Sequence, residues 1–385
     1  MRSIALRNDC SIDRILSVFE KRPGCVFLDS GSHEYGLGRY SILASDPFKE
    51  LVFGEGRAEI REGEKRQSIE GNPFDLLREQ LDESVVGYDG QFPFSGGAIG
   101  YVAYDIGQIG NGVSKKRPGP EMRFGFYDGA LVWDHELGTL QAVTYSHFQN
   151  CVETLQRLQA LVDSASEAEI EGSFQLGDVS SNFSREAYLQ RVRKTREYIK
   201  AGEIYQANLS QRFRASFQGS GASLYRRLRR FNPAPYAAYL KFGDEEILSS
   251  SPERFFLLQD GSIDTRPIKG TRPRGTSEIE DEAFRRDLAQ SEKDKAELLM
   301  IVDLERNDLG RICQAGSIRV KSLFDLETYA SVIHQTATIV GRLELGRDAI
   351  DCFGAMFPGG SITGAPKIRA MEVIDELEDG ERGVY

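Results

Sequence analysis

The chain has 385 residues, of which 40% are hydrophobic and 28% charged, and its formal net charge is −11. This composition is typical of a globular protein with a charged surface, and the length allows one to three domains. The negative charge argues against nucleic acid or an anionic membrane as a partner, because both would be repelled at long range. An anionic substrate would therefore need a local cationic site or a metal ion.

Cysteine usage and the N-terminus indicate a cytoplasmic protein. The five cysteines are widely spaced and contain no C-x-x-C pair, so we interpret them as reduced structural thiols. The N-terminus lacks the apolar run of a signal peptide, and no stretch approaches the ~18 apolar residues of a membrane helix.

The first 163 residues predict short strands with a few helices. Glycines at residues 94–105 could form a nucleotide loop, but no strand and helix flank them in the required order, so tight strand packing is favoured. The spacing of the strands favours antiparallel sheets over βαβ units. Helical periodicity covers residues 11–20, 72–81 with Asn72 as N-cap, and 148–163, and strand patterns cover 25–30, 39–43, 49–53, 57–61, 66–69 and 124–145.

Residues 164–183 are acidic, rich in serine and poor in periodicity, which predicts a linker between the regions 1–163 and 184–385. Ser184 is the predicted N-cap of a helix that ends at Gly202. The fold class that we predict is α+β, with antiparallel sheets and packed helices. Its later elements are strands at 205–213, 236–241 and 246–250, a helix at 222–230, and a buried helix at 293–309 that is apolar nearly all round in its middle.

A cationic block at residues 262–275 carries one lysine among three arginines. Its β-branched residues favour an extended backbone, and its two prolines exclude a helix. Gly270 would let another group approach the main chain. An edge strand protected by charge is one interpretation. The other is an anion site, formed by the side chains of Arg266, Lys269, Arg272 and Arg274.

Part of this block, Pro-Ile-Lys-Gly-Thr at residues 267–271, resembles the signature of the chorismate-utilising enzymes, the family of anthranilate synthase component I and aminodeoxychorismate synthase component I. The resemblance covers about residues 184–385, with a weaker likeness in the N-terminal half. It implies a large two-layer sandwich with the active site between its sheets. Further blocks in family order are Ser-Pro-Glu-Arg-Phe at 251–255, Lys-Asp-Lys-Ala-Glu at 293–297, Asp-Leu-Glu-Arg-Asn-Asp-Leu-Gly-Arg at 303–311 and Gly-Gly-Ser-Ile-Thr-Gly-Ala-Pro-Lys at 359–367.

Lys269 separates two branches of this family. Anthranilate synthases usually carry alanine at the matching position, whereas a lysine is the mark of the aminodeoxychorismate synthases, where it is implicated as a nucleophile towards chorismate. The resemblance thus implies conversion of chorismate and ammonia to 4-amino-4-deoxychorismate, for p-aminobenzoate and folate synthesis. Such a lysine must be partly neutral, so we predict a lowered pKa for Lys269, caused by neighbouring cations or by burial. Anthranilate synthase component I is the alternative.

The resemblance gives roles to further residues near this lysine. Gly270 and Thr271 belong to the signature and are implied to bind the substrate. Glu253 matches an acid near the reacting ring, and a carboxyl with a raised pKa could donate a proton to the hydroxyl that leaves C4. His334 matches an active-site histidine, although a histidine in an apolar run is often a satisfied core residue.

Glu297 shares a helical face with Ile301, Leu304 and Asp308, so its carboxylate needs an ion pair or a bound cation. A nearby arginine is one possible partner. The resemblance instead implies that the matching glutamate helps to hold Mg²⁺, which bridges to a substrate carboxylate. The resemblance therefore predicts Mg²⁺ as the cofactor. A site with few protein ligands is sufficient, because Mg²⁺ usually takes only one or two protein carboxylates.

Residues 359–367 predict a glycine loop before a helix with Pro366 at its first position. An ordinary tight turn is one interpretation. Alternatively, free N–H groups, the helix dipole and Lys367 would form an anion site. The resemblance makes the anion a carboxylate of chorismate, bound by Thr363, Gly364 and Lys367.

Tyr385 matches a substrate-binding tyrosine of the family, which continues beyond it, so we expect the chain to lack a C-terminal part. No cysteine lies in a nucleophile-elbow context, and the resemblance implies a separate glutamine amidotransferase subunit. The segments around Leu28 and Ser30 and around Pro235 and Tyr236 resemble those that hold tryptophan in the family, with strand and turn packing as the alternative. A truncated fragment that only binds tryptophan or a partner is the remaining alternative function.

Overall fold

The structure is a computed structural model, and it describes residues 2–32, 35–82, 90–110, 121–145, 150–166, 168, 170 and 172–385. Its helices are α1 (Ile12–Phe19), α2 (Pro73–Asp82), α3 (Tyr104–Gly110), α4 (Cys151–Ala165), α5 (Arg185–Lys200), α6 (Gly221–Phe231), α7 (Glu278–Gln290), α8 (Glu292–Leu309), α9 (Ala349–Met356) and α10 (Lys367–Leu377). Its strands are β1 (Arg2–Leu6), β2 (Val26–Asp29), β3 (Tyr40–Ala44), β4 (Lys49–Gly54), β5 (Arg57–Glu62), β6 (Lys65–Glu70), β7 (Gly97–Val102), β8 (Met122–Tyr127), β9 (Gly129–Asp134), β10 (Thr139–Thr144), β11 (Phe174–Leu176), β12 (Ser180–Ser181), β13 (Gln206–Ala207), β14 (Phe213–Arg214), β15 (Phe217–Gly219), β16 (Tyr236–Phe242), β17 (Glu245–Ser251), β18 (Arg254–Gln259), β19 (Ser262–Arg266), β20 (Ile268–Pro273), β21 (Arg319–Thr328), β22 (Val332–Arg342) and β23 (Gly364–Ala365).

Helix starts follow the predicted capping residues. The Asn72 side chain accepts a hydrogen bond from the Phe74 N–H at 2.9 Å at the start of α2. The Ser184 hydroxyl accepts one from the Ala187 N–H at 3.1 Å at the start of α5. These bonds satisfy donors that the first helical turn leaves unpaired, and they confirm both predicted N-caps.

The first sheet has the order β1-β10-β9-β3-β2-β16-β17 and is antiparallel. It contains strands from both sides of the predicted linker, because β16 pairs with β2 and places Ala237 opposite Asp29. The linker itself, 164–183, begins inside α4 and contains β11 and β12, which pair with β15 and β14. The division into regions 1–163 and 184–385 stays a prediction, but it does not divide the first sheet.

The second sheet has the order β6-β5-β4-β8-β7 and packs face to face with the first one. A shared apolar cluster includes Val26 and Leu240 of the first sheet and Ile99 and Tyr101 of the second. The glycine-rich segment forms β7, as predicted, and a Cβ on Gly100 would lie only 1.9 Å from the Arg123 carbonyl oxygen. The α+β prediction with antiparallel sheets in a sandwich is confirmed.

The third sheet has the order β18-β19-β22-β20, with β21 on the other side of β22. The strands β19 and β20 follow β22 in succession, with Thr265 opposite Ile339 and Ile268 opposite Thr336. Between them Pro267 has no N–H, but its carbonyl accepts from the Ala337 N–H at 3.2 Å. The cationic block is therefore an interrupted strand with β22 as its neighbour, and Lys269 lies between the residues that pair with Thr336 and His334 of β22.

Helix α8 covers one face of this sheet, as the contacts of Leu298 and Val302 with the core around Ile339 show. The prediction of burial nearly all round is wrong, because Leu299 is 45% exposed on the opposite face. Residues 205–213 also differ from the prediction of one strand. Only β13 and β14 form, because the Asn208 N–H between them donates instead to the Thr363 carbonyl at 2.7 Å. Within the described ranges, no helix is long and apolar enough to span a membrane.

Candidate active site

Lys269 lies on β20 with its side chain partly buried, and its Nζ donates to the Ser361 carbonyl at 3.0 Å. Burial lowers the pKa of Lys269, although the carboxylates of Glu253 and Glu297 act in the opposite direction. The predicted lowering of the pKa is confirmed in direction. Its cause is burial, since the nearby charges are negative.

The neighbouring arginines are not available to an anion or to Lys269. Arg266 forms an ion pair with Glu327, and Arg274 lies 2.8 Å from Asp281. Arg272 contacts Asp287 at 2.5 Å and Asp294 at 3.1 Å. The prediction that these arginines crowd an anion is therefore wrong, because each guanidinium is already paired with a carboxylate.

Glu253 stands between β17 and β18 and faces the same loop as Lys269. Its Oε1 accepts from the Ser361 hydroxyl at 2.6 Å and from the Ile268 N–H at 3.1 Å. Burial raises the pKa of Glu253, while these two hydrogen bonds and the Lys269 charge oppose the change. A carboxyl of this kind can hold a proton closer to neutral pH than an exposed glutamate can.

His334 lies on β22 and is 8% exposed. Its Nδ1 is 2.9 Å from the Thr271 hydroxyl, and its ring also bonds to the Gly270 backbone. Burial lowers the pKa of His334, so the imidazole is neutral near pH 7. Gly270 has φ +78°, and a Cβ there would lie 2.9 Å from Leu288 Cδ1, so both its conformation and its surroundings require glycine.

A 3₁₀ turn, Gly360–Ile362, precedes β23 and α10. The Thr363 hydroxyl is buried and donates to the Gly359 carbonyl at 3.0 Å. Gly364 pairs with Ala207, and a Cβ there would lie 2.1 Å from the Gln206 carbonyl oxygen. Thr363 thus shapes the loop through its hydroxyl and Gly364 through its backbone.

Lys367 begins α10 but points to Asp308. Its Nζ donates to Asp308 Oδ2 at 2.5 Å and to the Met356 carbonyl at 2.7 Å, with the Lys367 side chain 11% exposed. An amine that already has a buried carboxylate partner argues against the predicted role as a ligand for chorismate.

Glu297 has no arginine partner among the described ion pairs. Its Oε1 is 3.5 Å from Lys293 Nζ, one turn earlier on α8, and its side chain is 36% exposed. The described residues contain no group of three or more His, Cys, Asp and Glu side chains that could hold a metal ion. A single accessible carboxylate still fits Mg²⁺, since this ion keeps water or substrate oxygens for most of its ligands.

Two residues that the sequence interpretation missed connect the site. Ser361 contacts Lys269 through its carbonyl and Glu253 through its hydroxyl. Asn208 donates from Nδ2 to the same Ser361 carbonyl at 3.2 Å, and its Oδ1 accepts from the Tyr385 hydroxyl at 3.3 Å. Tyr385 is therefore linked, through the Asn208 side chain, to the Ser361 carbonyl that Lys269 also contacts. Ser361 stands inside the Gly-Gly-Ser block, which was its signal in the sequence.

The segments predicted to hold tryptophan are neighbours in the first sheet. Leu28 lies on β2, and Pro235 and Tyr236 stand at the start of β16, which pairs with β2. Ser30 uses its hydroxyl and N–H within the fold, on the Tyr40 carbonyl at 2.6 Å and the Ser41 hydroxyl at 3.0 Å. Tryptophan binding at these segments stays a prediction.

A lysine and a carboxyl that meet at one glycine-rich turn, with an imidazole beside Gly270 and Thr271, are groups suited to nucleophilic and acid–base chemistry. The chain belongs to the chorismate binding enzyme family, whose model matches residues 25–385.

Curated relatives carry two different names. Aminodeoxychorismate synthase component 1 of Klebsiella aerogenes is 37% identical over 392 residues, covering 100% of this chain and 85% of the relative. Anthranilate synthase component 1 of Aquifex aeolicus is 37% identical over 391 residues, covering 96% of this chain and 79% of the relative.

Solved structures show the same fold. Anthranilate synthase component I from Streptococcus pneumoniae matches with a TM-score of 0.80 and 33% identity, over 90% of this chain and 79% of that one. The menaquinone-specific isochorismate synthase from Escherichia coli matches with a TM-score of 0.69 and 16% identity, over 100% of this chain and 80% of that one. The second likeness concerns the fold alone.

Proposed function

We propose that the chain is component I of an aminodeoxychorismate synthase, which converts chorismate and ammonia to 4-amino-4-deoxychorismate for p-aminobenzoate and folate synthesis. The observation that supports this choice is Lys269, a partly buried amine with a lowered pKa that shares the Ser361 contact with Glu253. Lowering the pKa of this lysine increases the fraction of its amine that is neutral, and a neutral amine is a nucleophile.

In the proposed reaction the neutral Lys269 amine adds to C2 of chorismate while the C4 hydroxyl leaves. Glu253, with its raised pKa, donates the proton with which that hydroxyl departs as water. Ammonia then attacks C4, the bond between C2 and the lysine nitrogen breaks, and the neutral lysine amine is released. The ammonium group formed at C4 returns one proton to the Glu253 carboxylate. The neutral imidazole of His334 holds the Thr271 hydroxyl, so that both face the substrate in a fixed orientation.

Glu297 is the residue that we propose as a ligand of Mg²⁺, which when bound would neutralise a substrate carboxylate. Its charge is close enough to Lys269 to act on the pKa of that amine. As component I, the chain would receive ammonia from a glutamine amidotransferase subunit, because none of its cysteines stands in a context for glutamine hydrolysis.

The identity of the product tests the proposed function. The protein is incubated with chorismate, Mg²⁺ and an ammonium salt, which removes the need for an amidotransferase, and the product is identified by mass and by chromatography against standards. We expect 4-amino-4-deoxychorismate. Accumulation of anthranilate would instead identify the second candidate, anthranilate synthase component I, which the equal identity to the Aquifex aeolicus relative keeps open.

The variant Glu297→Gln is expected to lose Mg²⁺-dependent chorismate binding while its thermal unfolding midpoint stays within about 2 °C of the parent, because the side chain is partly exposed and its pair with Lys293 is weak. Calorimetry with chorismate, with and without Mg²⁺, measures the effect. Asp303→Asn on the same helix, whose carboxylate is 66% exposed and pairs with Arg306, is the matched control. Unchanged Mg²⁺ dependence in Glu297→Gln would show that this glutamate only forms a structural ion pair with Lys293.

A further inference from the structure

A second glutamate of α8, Glu305, is buried beside the turn Gly360–Ile362 and has no role in the chemistry described so far. It is 3% exposed, and its Oε1 accepts from the Gly360 N–H at 3.1 Å. No described residue forms a hydrogen bond with its Oε2. A buried carboxylate with one unsatisfied oxygen is unfavourable for stability, so a further use of this group must be considered.

Glu305 contacts Gly360, which is next in sequence to the residue that bonds to Lys269 and Glu253. The residue after Gly360 is Ser361, whose carbonyl accepts from Lys269 Nζ at 3.0 Å and whose hydroxyl donates to Glu253 at 2.6 Å. The turn has little room to move towards α8, because a Cβ on Gly360 would lie 2.8 Å from Leu304 Cδ2 and 3.1 Å from Glu305 Oε1. The N–H that Glu305 accepts from therefore directly precedes the residue that contacts both Lys269 and Glu253.

The charges that act on Glu305 come from each element around it. Lys367 of α10 favours its ionised form, whereas Asp308 on its own helix and Glu253 beyond the turn disfavour it. Lys367 is already bonded to Asp308, whose negative charge offsets part of the effect of Lys367 on Glu305. Burial is the strongest influence and raises the pKa of Glu305 to about 7.

We propose that Glu305 is a positioning residue, whose carboxylate holds the Gly360 N–H and thereby fixes the turn that joins Lys269 to Glu253 through Ser361. This inference rests on the proposed function, because it assigns those two residues to the chemistry. The ionised carboxylate is the stronger acceptor, and protonation gives Oε2 a hydrogen that no described group is placed to accept. The turn is therefore held best above about pH 7 and is loosened below it.

The Gly360 amide reports this contact directly, without substrate. The sequence contains two Gly–Gly peptides, 96–97 and 359–360, so labelling with carbonyl-¹³C and amide-¹⁵N glycine gives correlated signals from the amides of Gly97 and Gly360 alone. We expect the Gly360 amide shift to titrate with a midpoint near pH 7 in the parent, while Gly97, in the second sheet, does not follow it. In Glu305→Gln the Gly360 titration should disappear.

A flat Gly360 signal in the parent, or the same titration in Glu305→Gln, would overturn the proposal. Should Glu305→Gln not fold, Glu253→Gln decides the assignment, because the Gly360 titration must persist in it if Glu305 is the source. Loss of the titration in Glu253→Gln would assign it to Glu253 and remove the proposed role.

The kinetic consequence is measured as chorismate consumption, whichever product is formed. At pH 8, Glu305→Gln should lower kcat about tenfold with KM within about twofold, and the ionisation near pH 7 should be absent from its kcat profile. Asp303→Asn is again the control and should keep the parental kcat and the ionisation near pH 7. An unchanged profile in Glu305→Gln contradicts the positioning role, whereas an unexpected product contradicts only the proposed function.

Discussion

Replacing Lys269 by alanine is expected to reduce the formation of 4-amino-4-deoxychorismate by at least about 100-fold, because ammonia must then attack chorismate without the covalent step. The fold should remain close to that of the parent, since the Lys269 side chain contributes one hydrogen bond with a described residue, to the Ser361 carbonyl. Direct attack at C2 would also shift the product towards anthranilate, whose synthases usually carry alanine at this position.

Product analysis at saturating ammonium measures the first effect, and intact-protein mass measures a second one. When chorismate is supplied without ammonia, the parent should gain a covalent adduct at Lys269, whereas the alanine variant should gain none. Lys321→Ala, at an exposed lysine of β21, is the control and should behave as the parent. Synthesis of 4-amino-4-deoxychorismate by Lys269→Ala at the parental rate would leave this lysine as one more cation near a dianionic substrate.

The fold was predictable from the sequence where local pattern and tertiary packing agree. Alternation over 49–53, 57–61 and 66–69 became the meander β4–β6, and the caps at Asn72 and Ser184 begin helices as expected. Residues 205–213 also alternate, but the Asn208 N–H and carbonyl bond to Thr363 and Arg382 instead of to a neighbouring strand. Alternation indicates which side chains can face a core, but it does not indicate which groups the backbone N–H and carbonyl will bond to.

The charges of the site were less predictable, because their partners are far away in sequence. Arg266 pairs with Glu327, which is 61 residues later, and Lys367 pairs with Asp308, which is 59 residues earlier. No local pattern reports such pairs, so both cations were interpreted as available to an anion. The signature around Lys269 was informative for a different reason. It identified a lysine by its residue type, and the fold buries that lysine.

Glu305 had a signal in the sequence that was not used. It stands seven positions after Leu298 and four after Ile301, so it falls on the buried stripe of α8 together with Asp308. A buried acid requires a cation partner or a raised pKa, and these two acids differ because Asp308 pairs with a lysine whereas Glu305 has no ion pair with a described residue. Lys367 serves Asp308, and burial raises the pKa of Glu305 to about 7.

This arrangement predicts that Lys367→Met destabilises the fold by about 3–5 kcal/mol at pH 8, because it leaves the buried Asp308 without its partner. Burial already raises the pKa of Asp308, and loss of the lysine raises it further. A carboxyl with a raised pKa in the folded state stabilises below its unfolded pKa, and this stability is lost as the pH rises through the folded value. The destabilisation should therefore be smaller at pH 5 than at pH 8.

Chemical denaturation at the two pH values measures the effect, with Lys194→Met as the control, since Lys194 pairs with Glu197 at 3.3 Å on an exposed face of α5. The double variant Lys367→Met/Asp308→Leu should recover most of the lost stability, because the charge that needed the lysine is gone and two apolar side chains can pack in its place. A Lys367→Met protein that unfolds like the parent but binds chorismate weakly would instead establish Lys367 as a substrate ligand, which releases Asp308 when the anion arrives.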